Sequence, residues 1–229
     1  MTFIQNRISF LATHLPLYLQ GIRITIVLSI LGVLFGTILG TLIAIMRLGK
    51  NKVLSKIAIA YVEIIRGTPL LVQLSILVFT PLAIVPPEAT FLRSKPLWSV
   101  VAISINSSAY VSEIIRSGIK SIDYGQTEAA RSLGMTESQT MKFIILPQAV
   151  KNILPALGNE FVTLIKESAI VSFVALHDIM YYANAIRGAT YKPFEPFLIA
   201  AIIYFILTFS TSRLLGKLER KLDASDSRS

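Results

Sequence analysis

The sequence predicts an all-α, polytopic membrane protein, and three observations carry that fold class. Of the 229 residues, 53% are hydrophobic and 15% are charged, against about 25% charged in an average soluble domain. Mean hydropathy is +0.66. The apolar residues gather into runs long enough to cross a bilayer of ~30 Å at ~1.5 Å per helical residue. A chain of this make-up lacks the polar material to cover a water-facing surface.

The elements follow in order. Residues 1–20 place Phe3, Ile4, Ile8, Leu11, Leu15 and Leu19 at near-helical spacing with polar residues between them, which predicts an amphipathic helix on the outer surface or wrapping the first span. With no basic n-region and no small-residue cleavage site, a removable signal peptide is not expected. Ile24 to Met46 is an uncharged run between Arg23 and Arg47, the first span. Ile57 to Phe79 is long enough for a second but holds Glu63, Arg66, Gly67 and Pro69. The loop 80–96 is broken by Pro81, Pro86, Pro87 and Pro96. Leu97 to Ile115, Ile153 to Leu176 and Phe197 to Ser212 complete about five transmembrane helices in one membrane domain, 1–229.

Charge sets the direction. Arg47, Lys50, Lys52 and Lys56 fill the first inner loop; Arg116, Lys120, Arg131, Lys142 and Lys151 the second. Arg213, Lys217, Arg220, Lys221 and Arg228 fill the tail. The opposite side has only Arg7, Arg23, Arg93, Lys95, Arg187 and Lys192. The positive-inside rule puts the N-terminus outside and the C-terminus in the cytoplasm. The net charge of +9 is thus a matter of orientation, and no basic patch interleaved with aromatics points to nucleic acid. With no cysteine, disulfides and thiolate metal sites are excluded. His14 and His177 stand far apart, without a metal-ligand spacing, and read as surface or packing groups, so no metal site is expected.

The inner loop 116–151 is too ordered to be a linker. Asp123 or Thr127 caps a helix beginning at Glu128 and running through Ala129, Ala130, Arg131, Ser132 and Leu133, with Gly134 placed to stop it as a C′ glycine. Thr136 and Gln139 form a capping box for a second helix, expected to end before Pro147. From composition alone this is also the pattern of an ordinary amphipathic connector.

The spacing is more specific than the composition. Glu128-Ala129-Ala130, three residues, Gly134, nine residues, Ile144, one residue, Leu146-Pro147 resembles the EAA loop of the membrane subunits of ABC importers. The segments EIIRGTPLLVQ (63–73), NSSAYVSEIIRSG (106–118) and NILPALGNEFVTLIKES (152–168) resemble the polar amino-acid permeases of the histidine/glutamine/arginine type. The resemblance covers about residues 16–222 and implies a type I importer permease in the bacterial cytoplasmic membrane. It also implies a second permease subunit, identical or related, and two cytoplasmic ATP-binding subunits coupled through Glu128, Ala129, Ala130, Arg131, Ser132, Leu133 and Gly134. An extracytoplasmic solute-binding protein would deliver the amino acid. ATP and Mg²⁺ would belong to the partner ATPase, since this chain has no GxxxxGK[ST] phosphate loop and needs no cofactor of its own.

Intramembrane charges default to functional candidates because each is costly to insert. Glu63, Arg66, Glu113, Glu160, Lys166 and Glu167 are four acids against two bases. Glu113 with Arg116, and Glu63 with Arg66, have the i, i+3 spacing of local pairs. Pro69 cannot donate to the Ile65 carbonyl and disfavours a helical Thr68, so Arg66-Gly67-Thr68-Pro69 breaks its span near mid-depth. Such breaks line cavities in transporters, and N–H groups near Leu70 would receive a substrate carboxylate. Glu160, Thr163 and Glu167 share one face of the fourth span, with Asn159 and Lys166 beside it. Asn106, Ser107 and Ser108 on the third span either line the same cavity or serve as helix-packing glue. Ser168 and Ala169 are small enough for a gate. Glu160 is expected to hold a cationic group of the substrate, unless it is tied up with Lys166 or Arg66. Surplus negative charge favours arginine, lysine or histidine, with glutamine still open where Arg66 and Lys166 neutralise that surplus. Two rivals are weighed. A membrane-embedded enzyme would need a nucleophile–base pair that is not there, and a secondary transporter would leave the EAA loop without a job.

Overall fold

The computed structural model describes residues 2–226, with the side chains of 9–217 and of Arg220. The long helices are α1 (Thr2–Leu48), α2 (Lys52–Gly67), α3 (Leu70–Ile84) and α4 (Lys95–Lys120). After them come α5 (Tyr124–Ser132), α6 (Glu137–Thr140), α7 (Leu146–Glu167), α8 (Ile179–Thr190) and α9 (Glu195–Asp226). Short 3₁₀ turns occupy Phe91–Arg93 and Ser168–Val174, and a π turn occupies Met141–Ile145.

The N-terminal helix expected over 1–20 is not a separate element. It continues into the first span as one 47-residue helix with Pro16 inside it. Phe3, Ile4 and Ile8, behind that expectation, lie outside the described side chains. Lateral packing accounts for the continuity. Tyr18 is fully buried among Ile179, Ala183, Ile186 and Ala200, and its hydroxyl donates to the Pro196 carbonyl at 2.8 Å. Gly21 brings α1 against the start of α8, where a Cβ would lie 2.7 Å from the Ile179 nitrogen. Packing on α8 and α9 holds this part of α1 to the bundle.

The centre of the bundle is the contact of α1 with α4. Gly32, Gly36 and Gly40 recur one turn apart on α1, and a Cβ on them would meet Ile103 Cγ2 at 2.5 Å, Ser107 Cβ at 2.8 Å and the Ser108 carbonyl oxygen at 2.7 Å. Small residues at this spacing let two backbones approach, the usual solution where lipid offers no hydrophobic drive for helix association. On the α4 side Ser104, Ser107, Ser108 and Ser112 are buried in return. The second core cluster, Leu28, Leu74, Val78, Ala102, Ile103, Leu164 and Val171, ties α1, α3, α4 and α7 together.

Among the described residues, two segments are long and apolar enough to cross a membrane alone, Ser9–Leu48 and Glu195–Lys217. The α2–α3 pair, bent by 99°, and Glu137–Val174 with α8, bent by 49°, qualify only as pairs. At 26 residues α4 has the length of a crossing, about 39 Å at ~1.5 Å per residue. It falls short on apolarity because its polar face is turned into protein. That is why an apolar-run reading finds five segments where composition alone certifies two to four.

The EAA segment folds by local rules. Asp123 Oδ1 accepts from the Gly125 N–H to start α5, which settles the choice between Asp123 and Thr127 and moves the start to Tyr124. Gly134 has φ +82°. The Gly134 N–H reaches the Arg131 carbonyl at 3.0 Å and the Met135 N–H reaches that of Ala130 at 3.2 Å, the paired bonds of a Schellman stop. The Thr136–Gln139 capping box is present in both directions. The second helix does not end before Pro147, however. The wide π turn at Met141–Ile145 leads straight into α7, with Pro147 in its first turn, where a missing N–H is tolerated.

Candidate functional site

Three helices enclose an open cleft of about 450 Å³, lined by Arg66 from the end of α2, by Tyr110, Glu113, Ile114, Ser117 and Gly118 of α4, and by Ser121, Asn152, Ala156 and Glu160. Each side chain arrives there for a local reason. Arg66 stands at the elbow where α2 ends, and its guanidinium lies over the Tyr110 ring at 5.4 Å. The expected local pair of Glu63 with Arg66 is not among the ion pairs of the described residues; the tyrosine face takes the cation instead.

The elbow itself is built by a residue the sequence reading passed over. Gln73 Nε2 donates to the Ile65 carbonyl at 2.8 Å, to the Thr68 carbonyl at 3.2 Å and to Thr68 Oγ1 at 2.9 Å. Ile65 is the carbonyl that Pro69 leaves without its usual i+4 donor. Asn106 Nδ2 then donates to Gln73 Oε1 at 3.1 Å. Asn106 is buried and ties the elbow to α4, and it is not among the residues that line the cleft. Gly67, Thr68 and Pro69 are exposed, and Gly67 has open space around it. Leu70 is half-buried at the head of α3.

Glu160 reaches the cleft from α7, and Ser107 Oγ donates to its Oε1 at 2.9 Å. Neither Lys166 nor Arg66 forms an ion pair with it among the described residues. Both were candidates; the geometry sends Lys166 outward, exposed, together with Asn159 and Glu167, while Thr163 is half-buried. The acids and bases of the fourth span therefore do not gather in one cleft within this chain. Ser168 is buried with its hydroxyl on the Ile165 carbonyl at 2.9 Å, and Ala169 is half-buried beside it. There α7 tightens into the 3₁₀ turn.

In the cleft wall, Glu113 pairs with Arg116 as its spacing suggests, and also with Arg47 of α1, Nη1 to Oε2 2.6 Å. Nothing in the sequence around Glu113 signals Arg47, which is 66 residues away. Lys50 and Glu137 pair at 2.6 Å across exposed surface, and the ammonium holds the Glu137 carboxyl below the usual carboxylate range. In the EAA helix Glu128, Ala129, Arg131, Ser132 and Leu133 are exposed and Ala130 is buried. Leu133 is 84% exposed and Phe143 59%, an apolar surface left uncovered by this chain. Asp178 also went unsingled: fully buried, it caps α8 through the Tyr181 N–H at 2.8 Å. His177 stacks on Tyr181 and His14 donates to the Phe10 carbonyl, packing roles both.

Residues 32–224 match the family described as binding-protein-dependent transport system inner membrane component. The arginine transport system permease protein ArtQ of Bacillus subtilis is 41% identical over 214 residues, covering 93% of this chain and 95% of its own. GlnP of Rickettsia bellii, named for a glutamine transport system, is 42% identical over 206 residues, covering 90% and 93%. An amino acid ABC transporter with histidines, solved by crystallography, superposes with a TM-score of 0.85 at 45% identity, covering 93% of this chain and 97% of that one. The chain belongs to the binding-protein-dependent transport system inner membrane components. It is a multi-pass permease of the bacterial inner membrane, the transport component of an ABC importer that works with an ATPase and a substrate-binding protein. Its part is transport and not catalysis.

Proposed function

We propose that this permease forms half of the translocation pore of an importer for polar, and by its charge basic, amino acids. Its N-terminus lies outside and its C-terminus in the cytoplasm. A second permease subunit completes the pore, and two cytoplasmic ATPase subunits, holding ATP and Mg²⁺, dock on the EAA segments through Glu128–Gly134 and the exposed Leu133. The names of the relatives, for arginine and for glutamine, support an amino-acid substrate.

A single observation carries the charge reading. Glu160 faces the cleft with one neutral hydroxyl as its hydrogen-bond partner, and Arg66 lines the same cleft. A carboxylate at membrane depth without a protein cation is costly unless a cation arrives with the ligand. An amino acid brings one, and its own carboxylate finds positive charge at Arg66 and at the head of α3 near Leu70. Gly67, Thr68 and Pro69 leave that approach open. Ser107 orients Glu160. Asn159, Thr163, Lys166 and Glu167 extend the path toward the second subunit, and the turn beginning at Ser168 and Ala169 is the gate.

The test is uptake by the reconstituted complex across a panel of amino acids, with ATP omitted as control. Glu160→Gln is expected to cut uptake of cationic amino acids roughly ten- to hundredfold, the loss of one charged hydrogen bond, with assembly and basal ATP hydrolysis retained. Normal uptake in an assembled mutant would overturn the assignment.

A further inference from the structure

A second hollow, of about 350 Å³, opens between α1 and α4 and shares no lining residue with the cleft. Its wall is apolar throughout: Ile24, Val27, Leu31 and Phe35 from α1, Leu97 and Val100 from α4. The volume falls within the range of small-ligand sites, roughly 300–1,000 Å³. It lies along a membrane-crossing helix, with Val27 and Phe35 turned outward and exposed. An apolar groove in that position meets acyl chains.

What stands at its mouth selects among lipids. Arg23 is four residues before Val27, one turn up the same face of α1, and is exposed. It enters none of the ion pairs among the described residues. Long basic side chains at such a position run along apolar surface toward the headgroup level. Lys95 directly precedes Pro96 of the groove, and its ammonium donates to the Val174 carbonyl at 3.0 Å, two residues from Leu176 on the groove wall. That bond uses one of three donors. The α1 sequence from 2 to 48 has no acid, and the loop 80–96 has only Glu88. The mouth is therefore a two-cation platform above an apolar slot, at the membrane end opposite the EAA segment.

The geometry points to a binding site for one anionic phospholipid, its acyl chain in the α1–α4 groove and its phosphate between Arg23 and Lys95. Each cation at the headgroup level raises the preference for an anionic over a zwitterionic lipid by about fivefold.

The chain carries its own reporter. Trp98 is its only tryptophan; it follows Leu97 of the groove, and its ring is held by a bond from Nε1 to the Leu92 carbonyl at 2.7 Å. The full-length permease is reconstituted in phosphatidylcholine bilayers containing either brominated phosphatidylglycerol or brominated phosphatidylcholine at equal mole fraction, and quenching of Trp98 is read. Brominated phosphatidylglycerol is expected to quench with at least fivefold higher apparent affinity. Arg23→Gln should cut that preference severalfold, Arg23→Lys should keep it, and Val100→Phe should fill the slot and weaken quenching by both lipids. High salt should lower the preference in the unaltered protein. Equal quenching by the two lipids, or a preference indifferent to Arg23→Gln, would overturn the site. So would absence of quenching by either lipid together with cross-linking of a Val27→Cys variant, the sign that a second copy covers the groove. None of these readouts depends on which solute is transported.

Discussion

The side-chain amide of Gln73 stands 2.8 Å from the Ile65 carbonyl, supplying the donor that Pro69 withholds. A proline inside a span ordinarily leaves that carbonyl to water or a neighbouring helix. Here the chain turns by 99°, and a residue on the far limb reaches back to close the account of backbone groups. The elbow that presents Arg66 to the cleft is thus a hydrogen-bonded corner, not a loose kink.

Replacing Gln73 should therefore cost more than an ordinary polar substitution. Gln73→Leu takes the donor from the part-buried Ile65 carbonyl and strands the buried Asn106 amide, a buried polar group costing about 1–3 kcal/mol when unmatched. The detergent-solubilised permease is expected to melt several degrees lower. An unchanged midpoint would show that the corner is held by something else.

Gly36→Val should separate α1 from α4. Its Cβ would fall 2.8 Å from Ser107 Cβ, and overpacking of this kind costs about 1–3 kcal/mol. Gly188 in α8 has nothing within 4 Å of a Cβ, so Gly188→Ala is the matched control, neutral or stabilising by up to ~1 kcal/mol. Thermal unfolding of the two variants side by side tests the pair; equal effects would refute the close-packing account.

Gly134→Val acts by a different route. No neighbour blocks a side chain there, but φ is +82°, a region costing an L-residue about 1–2 kcal/mol and a β-branched one more. The Schellman stop should loosen and hydrolysis uncouple from uptake, while the subunit still inserts. Gly134→Asn, which tolerates this backbone, should be the milder change. Full coupling in Gly134→Val would count against the docking role of this turn.

Lys50 beside Glu137 gives a titration with a defined sign. The carboxyl is depressed in the folded protein, so the pair's contribution is complete above the ordinary Glu value of about 4.3. It fades as pH falls through the lower, folded value. Carbon-13 NMR of the Glu137 carboxyl should show the depression. Lys50→Gln or high salt should erase it, because both groups face water. A titration unmoved by Lys50→Gln would assign the shift elsewhere.

What could be read from the chain alone was whatever short-range rules decide. The Thr136–Gln139 box, the stop at Gly134 and the break at Pro69 involve neighbours within a turn or two, and the apolar runs mark lipid-facing faces directly. The glycines at 32, 36 and 40 carried a readable signal too, since fourfold spacing of small residues in an apolar run announces a helix contact. The destinations of Gln73, Asn106 and Arg47 had no such signal. Their partners stand 8, 33 and 66 residues away, and only the packed bundle brings them together. Glu160 was legible as a candidate, but its solitude was not: Lys166, six residues on, looks like a partner in one dimension and points elsewhere in three.

Ser107 touches both ends of this story. Its Cβ and Oγ lie where a Gly36 side chain would have to go, and its Oγ holds Glu160 at 2.9 Å. One methyl group added on α1 would push that hydroxyl, and the hydroxyl would move the carboxylate in the cleft. With Glu160 in its proposed role, solute preference would be retuned from α1, which gives the cleft none of its lining residues, at a position defined by its lack of a side chain.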